Sequence, residues 1–338
     1  MWKRAMWSWA VALLCWGGLA TSARGGDEPA ETEAVDPSDA EKSTGNANLR
    51  TKTLGGRQFW GDVCFFRGWR IQQNVISRHY RLLDPEDNRH AWGSLPECRA
   101  ALAEIREKEQ LPAMSGTAVV LVHGIGRSSK SMRRMRKSLE EAGYLAVGFN
   151  YPSTRVELSK SADYLHQVVQ SLEGIERIHF VGFSMGGLVL RSYLQEHPDP
   201  RVGRLVFVGS PNLGADLATA LHKNWAYRLL LGPAGQQLPT GPDGAGAQLA
   251  IPDREFAVIA GHRGVDGGWN PLIPGDDDGT VSVDCTRLPG ALDFTLVYAS
   301  HTTLVGHADT IECVQRFIAQ GRLRADGELQ PIAREMPE

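Results

Sequence analysis

The chain has 338 residues, of which 42% are hydrophobic and 22% charged, with a formal net charge of −3. That much apolar side chain builds a large core, so disorder throughout is excluded, as are collagen-like and low-complexity chains. The near-neutral balance gives no footing to a nucleic-acid binder, which concentrates basic charge on one face.

Residues 1–23 (MWKRAMWSWAVALLCWGGLATSA) carry Lys3 and Arg4, an apolar run from Ala5 to Ala20, and the small-residue end Thr21-Ser22-Ala23. This is the three-part layout of a signal peptide, so the chain is expected to be exported, to the periplasm or beyond the cell. The alternative is a membrane anchor through residues 5–20, although that run is shorter than the roughly 20 residues that span a bilayer. Cleavage after Ala23 takes the charge from −3 to −5 and removes Cys15, leaving Cys64, Cys98, Cys285 and Cys313. Four cysteines in an exported chain point to two disulfides. Pairing by region gives Cys64 with Cys98 and Cys285 with Cys313; buried free thiols are the alternative. No CxxC or Cys/His group has zinc spacing, so no metal and no other cofactor is expected. Residues 24–50 are acidic and almost free of large apolar side chains, as in a disordered linker.

Residues 51–115 read as a lead-in hairpin and helix. Phe59-Trp60, Phe65-Phe66, Trp69 and the run 70–83 indicate short strands, and 97–110 (ECRAALAEIREKEQ) an amphipathic helix stopped by Pro112. The pattern then becomes regular. Apolar runs at 118–122, 145–149, 178–183, 204–209, 256–260 and 294–299 are near-continuous, as in strands buried on both faces. Helical stretches lie between them at about 129–142, 158–173, 186–197 and 214–231, and one at about 308–320 closes the series. Such alternation predicts an α/β domain over 116–322, a mostly parallel sheet with helices on both faces. A C-terminal tail, 323–338, follows. Chemistry is expected at the carboxyl ends of the strands.

Gly182-Phe183-Ser184-Met185-Gly186 has the form G-x-S-x-G, which is weak alone and strong between a strand and a helix. A nucleophile on a sharp strand-to-helix turn needs small neighbours, and the turn aims backbone N–H groups at the serine oxygen. His123-Gly124-Ile125-Gly126 follows the first strand of the regular region and can supply a second donor. The expected oxyanion amides are those of Ile125 and Met185, with His123 in a structural role. A serine also needs a base, and the base an orienting carboxylate, in the chain order Ser, acid, His. His301 is favoured as base over His307, because it directly follows a strand. His222 and His262 precede the acid. Within Asp276-Asp277-Asp278 the acid is assigned to Asp278, with Asp277 or Asp276 as alternatives.

VLVHGIGRSS (120–129), VGFSMGGLVLR (181–191), GSPNLGAD (209–216), DGTVSV (278–283) and ASHTTLV (299–305) together resemble the lipase/esterase branch of the α/β-hydrolase superfamily. The likeness extends to secreted bacterial triacylglycerol-lipase-like and GPI inositol-deacylase-like proteins. It implies the α/β-hydrolase fold, a triad of Ser184, Asp278 and His301, and oxyanion amides at Ile125 and Met185. Phe183 stands where many members carry His. The lead-in is not part of the shared pattern.

The resulting expectation is a serine hydrolase that cleaves carboxylic esters through an acyl-enzyme, with lipid or acyl esters favoured over small soluble ones. A noncatalytic lipid-, glycan- or partner-binding protein on the same scaffold is the alternative. Expected partners are an ester or lipid substrate and a transient lipid interface, without nucleic acid. Residues 211–255 read either as a cap or lid over an acyl groove, or as a packing helix and a loose loop.

Overall fold

The computed structural model describes residues 51–53 and 58–334; the expected signal peptide (1–23), the linker (24–50) and the end of the tail (335–338) lie outside the described residues. The lead-in is more than a hairpin. Strands β1 (Thr51–Lys52), β2 (Trp60–Phe66), β3 (Trp69–Asn74), β4 (Tyr80–Leu83) and β5 (Asn88–Gly93) form one antiparallel sheet in the order β1-β5-β4-β3-β2. The run 70–83 breaks after Asn74, whose side chain accepts from the amides of Ile76 (2.9 Å) and Ser77 (3.0 Å), a local turn that competes with the ladder. The helix Leu95–Lys108 then begins at a capping box: Glu97 accepts from the Ser94 amide at 2.6 Å, and Ser94 Oγ accepts from the Glu97 amide at 3.4 Å.

The second sheet has six strands: β6 (Gly116–Val122), β7 (Leu145–Phe149), β8 (Ile175–Phe183), β9 (Val202–Val208), β10 (Phe256–His262) and β11 (Asp293–Tyr298). Their order is β7-β6-β8-β9-β10-β11 and every pairing is parallel. All six correspond to the apolar runs, because the central strands are covered on both faces; the edge strand β11 leaves Leu296 and Tyr298 exposed. Val119 and Leu121 enter a core with Met135 and Leu139 of the helix Arg133–Glu141 and with Val314, Phe317 and Ile318 of the helix Ala308–Gln320. The helix Met185–Glu196 packs on β8, and the helix Leu158–Gln170 packs between it and β2 of the lead-in. Burying one such aliphatic side chain fully contributes about 1.5–3 kcal/mol.

The stretch 214–231 is not one helix. It divides into Asp216–Leu221 and Trp225–Gln236, because Asn224 caps the second by accepting from the Ala226 amide at 2.8 Å. The expected tail also differs: residues 323–334 are bound to the domain. Asp293, fully buried, accepts from the amides of Leu323 (2.7 Å) and Gln330 (3.0 Å) and from Arg324 (2.6 Å). No helix among the described residues is long and apolar enough to cross a membrane.

The two expected disulfides are absent, since Cys64, Cys98, Cys285 and Cys313 are all free thiols. Cys98 is fully buried on the inner face of its helix, and Cys285 Sγ donates to Asp216 at 3.3 Å. Burial raises both thiols to about 11, which disfavours the thiolate that disulfide formation requires. The thermal midpoint is therefore expected to be the same with and without reductant. A fall of several degrees on reduction, or missing thiols in a denatured, unreduced titration, would restore the bridges.

Candidate active site

The chain runs from β6 outward to β7 and then returns to place β8 on the other side of β6. That reversal opens a crevice at the carboxyl ends of β6 and β8, where ligands bind in open α/β sheets. Ser184 follows β8 there, held at φ 54°, ψ −129°. A residue bearing a Cβ adopts such a backbone only where its surroundings impose it. Two glycines provide the close packing. A Cβ on Gly186 would overlap the Val122 carbonyl oxygen, and one on Gly124 would lie 2.9 Å from Ser184 Cβ. The loop after β6 thus runs directly against the serine.

His301 Nε2 lies 2.9 Å from Ser184 Oγ, and His301 Nδ1 lies 2.6 Å from Asp278 Oδ2. All three residues are buried. The other carboxylate oxygen of Asp278 accepts from the amides of Thr280 (3.0 Å) and Val281 (2.8 Å), so both oxygens are committed. The His301 amide also donates to the Asp278 carbonyl at 2.7 Å. With Nδ1 facing a carboxylate, that nitrogen carries the proton and Nε2 is left to accept from the serine hydroxyl. The Phe183 ring rests against the imidazole at 5.0 Å between centroids and supports it sterically.

The three aspartates have three separate roles. Asp276 accepts from the amides of Arg263 and Gly264, both at 2.9 Å. Asp277 accepts from the amides of Trp269 (3.2 Å), Asn270 (3.1 Å) and Gly279 (2.5 Å) and organises the loop around it; burial pushes its carboxyl upward against those donors. Asp278 is the one that meets His301. Of the other downstream histidines, His262 lies 3.3 Å from Asp276 and His222 donates to the Thr219 carbonyl at 2.8 Å, whereas His307 stands 3.7 Å from Asp309, beyond hydrogen-bond reach.

Among the described residues, no group accepts a hydrogen bond from the amides of Ile125 and Met185. Met185 opens its helix, so its amide has no acceptor within that helix. His123 is fully buried, donates from Nδ1 to the Gly124 carbonyl (2.8 Å), stacks on Tyr151 (4.4 Å) and receives the Tyr151 hydroxyl on its own carbonyl (2.6 Å). It supports the loop through these contacts.

Arg191 carries no signal in the sequence beyond its place directly after the apolar run Leu188–Leu190 of its helix. Its buried guanidinium donates to the carbonyls of Asn212 (2.6 Å), Gly246 (3.1 Å), Leu249 and, through Nε, Ala250 (3.1 Å). It ties both ends of the 211–255 segment to the helix that starts at Ser184. Asp163, Glu196 and His197 place ligand atoms within 4.8 Å of one another, at the other end of that helix. Lys160 (3.0 Å) and His197 (3.2 Å) already partner the Asp163 carboxylate.

Residues 117–245 match the family model described as the alpha/beta hydrolase fold. A 2-hydroxy-6-oxononadienedioate/2-hydroxy-6-oxononatrienedioate hydrolase of Comamonas testosteroni is 31% identical over 120 residues, 32% of this chain and 42% of that protein. The lysosomal thioesterase PPT2-B of Xenopus laevis is 26% identical over 111 residues, 30% of this chain and 38% of that protein. The chain thus spans about two fifths of the length of these curated relatives. Among solved structures, the mature Bacillus licheniformis lipase BlEst2 is similar at TM-score 0.48 and 21% identity, over 62% of this chain and 94% of that one. The family match and the parallel sheet with helices on both faces make this an α/β-hydrolase fold.

Burial holds His123 down to about 4, whereas an unfolded His titrates near 6.5. The unfolded chain therefore takes the proton first as pH falls. Stability present above about pH 6.5 is lost as pH drops toward 4. Burial holds His179 down in the same way, also to about 4. Urea midpoints measured across this window should fall with pH. His123→Gln should reduce the slope by about one proton; an unchanged slope would show that His123 is not buried neutral.

Proposed function

We propose that this chain is a serine hydrolase that cleaves carboxylic esters through an acyl-enzyme, with lipid or acyl esters as its favoured substrates. The observation that carries the proposal is the continuous contact from Ser184 Oγ through His301 to Asp278, at 2.9 and 2.6 Å. Ser184 Oγ attacks the ester carbonyl carbon as His301 Nε2 takes the hydroxyl proton. The Ile125 and Met185 amides receive the oxyanion. Collapse breaks the bond to the leaving alcohol, which takes the proton back from Nε2. A water then gives a proton to His301 Nε2 as it attacks the acyl carbon; the Oγ–acyl bond breaks, Nε2 returns that proton to Ser184 Oγ, and the carboxylic acid leaves. Asp278 stays ionised throughout and holds the imidazole tautomer.

The preference for acyl chains rests on the helix Trp225–Gln236, where Trp225 (75% exposed) and Leu229 (70% exposed) stand on one face at i, i+4 spacing with Leu230 beside them. The thioesterase among the relatives brings acyl thioesters into the substrate panel. Export by the segment 1–23 is part of the same proposal, and amino-terminal sequencing of the secreted protein tests it.

A fluorophosphonate should label the wild type at Ser184 and leave Ser184→Ala unlabelled. Asp278→Asn should lower kcat by about 10⁴-fold, and His301→Ala by about 10⁶-fold. Rates on esters of increasing acyl length should rise from acetyl to medium chains. Folded wild type that takes no label and turns over no ester or thioester would instead favour a noncatalytic binding protein.

A further inference from the structure

The lead-in sheet reaches the site through Gln58, two residues before β2. Its Nε2 donates to the Arg127 carbonyl at 3.1 Å. Its Oε1 accepts from Ser153 Oγ (3.0 Å), the Thr154 amide (2.9 Å) and Thr154 Oγ1 (2.9 Å). Ser153, fully buried, in turn accepts from the Gly126 amide at 2.9 Å. One side chain from outside the parallel sheet therefore holds both residues that follow Ile125, Gly126 through Ser153 and Arg127 directly.

These contacts decide where the Ile125 N–H points. That N–H belongs to the Gly124–Ile125 peptide, whose plane is rigid, so the direction of the Gly124 carbonyl sets the direction of the N–H. The Gly124 carbonyl accepts from the Arg127 amide (3.3 Å) and from His123 Nδ1 (2.8 Å). Arg127 is in place because Gln58 holds its carbonyl. A second arm grips the far end of the same loop. Asp62 of β2, fully buried, accepts from the Asn150 amide at 2.7 Å, and Asn150 Oδ1 accepts from the Ser129 amide at 2.9 Å.

We infer that Gln58 is a positioning residue for the Ile125 oxyanion donor, and that the lead-in sheet is the support against which that donor is aimed. The inference rests on the ester-hydrolase proposal for its catalytic consequence. Oxyanion donors act by preorganisation: removing one costs about 10²–10³ in kcat, and a misplacement of about 1 Å costs about 10².

The test compares wild type with Gln58→Ala, Ser153→Ala and the double variant on a soluble p-nitrophenyl ester, alongside hydrogen exchange of the 124–129 amides. Gln58→Ala is expected to lower kcat about 10- to 100-fold with KM within about twofold. The double variant should lose little more than either single one, because the two side chains act in one chain of bonds. Exchange at Gly126 should quicken, and Gln58→Glu, which keeps the acceptor and loses the donor to Arg127, should fall between. Ile71→Val, which thins the lead-in core without touching the loop, should keep wild-type kcat. Active wild type with Gln58→Ala at full speed and unchanged exchange at Gly126 would overturn the inference alone. A wild type inactive on every ester would overturn the hydrolase proposal, and the catalytic consequence with it. Equal kcat losses in Gln58→Ala and Ile71→Val would reduce Gln58 to a structural contact, overturning the inference.

Discussion

The structure depends on a backbone contact between two loops at the carboxyl ends of β6 and β8. Gly186 lies so close to the Val122 carbonyl that no side chain fits between them, and Gly124 is nearly as close to Ser184. This packing holds Ser184 at positive φ and starts its helix immediately afterwards. The serine is thereby pressed against the loop that follows β6, with the amide that opens its helix left without an acceptor inside that helix. Neither loop could do this alone: a free strand-to-helix turn would relax the serine out of its strained conformation, and an unsupported glycine loop would not hold a peptide plane.

The acidic loop follows the same economy. Three consecutive carboxylates repel one another unless each finds its own donors. Asp276 takes backbone amides after β10, Asp277 takes those of the turn at Trp269 and Asn270, and Asp278 takes the amides of Thr280 and Val281 with one oxygen only. The second oxygen of Asp278 then meets His301. The neighbours that looked like rivals for the acid's role are what keep the loop closed around it.

The parallel sheet was legible because its strands are apolar on both faces, a pattern that hydropathy alone records. The site was legible because each of its residues sits at a strand end or in a glycine-rich turn, where residue identity and position coincide. The lead-in was read less well for a physical reason. Its sheet buries polar side chains: Gln72 is fully buried between Asp62 (2.6 Å) and Arg81 (2.8 Å), so no apolar run marks it. Arg191 escaped notice likewise, because a buried guanidinium is satisfied by carbonyls distant in sequence. The disulfides were inferred from an expected compartment and a count, neither of which senses where the fold places each thiol.

The 211–255 segment and the lead-in meet at one residue, Thr154. Its amide and hydroxyl both donate to Gln58, and its carbonyl lies where a Cβ on Gly232 would sit. Gly232 is the kink of the helix Trp225–Gln236, at φ 61° and followed by Pro233. The helix is therefore seated at its kink, while the turn before Gly232 carries the exposed Leu229 and Leu230 and begins at the exposed Trp225. Arg191 holds the segment at Asn212 on one side and at Gly246 on the other. The stretch ahead of the kink is held as well: the Leu213 amide donates to the Cys285 carbonyl (2.9 Å), and Asp216 accepts from Ser282 Oγ (2.9 Å), so the exposed Trp225 and Leu229 stand on a segment anchored on both sides of the kink.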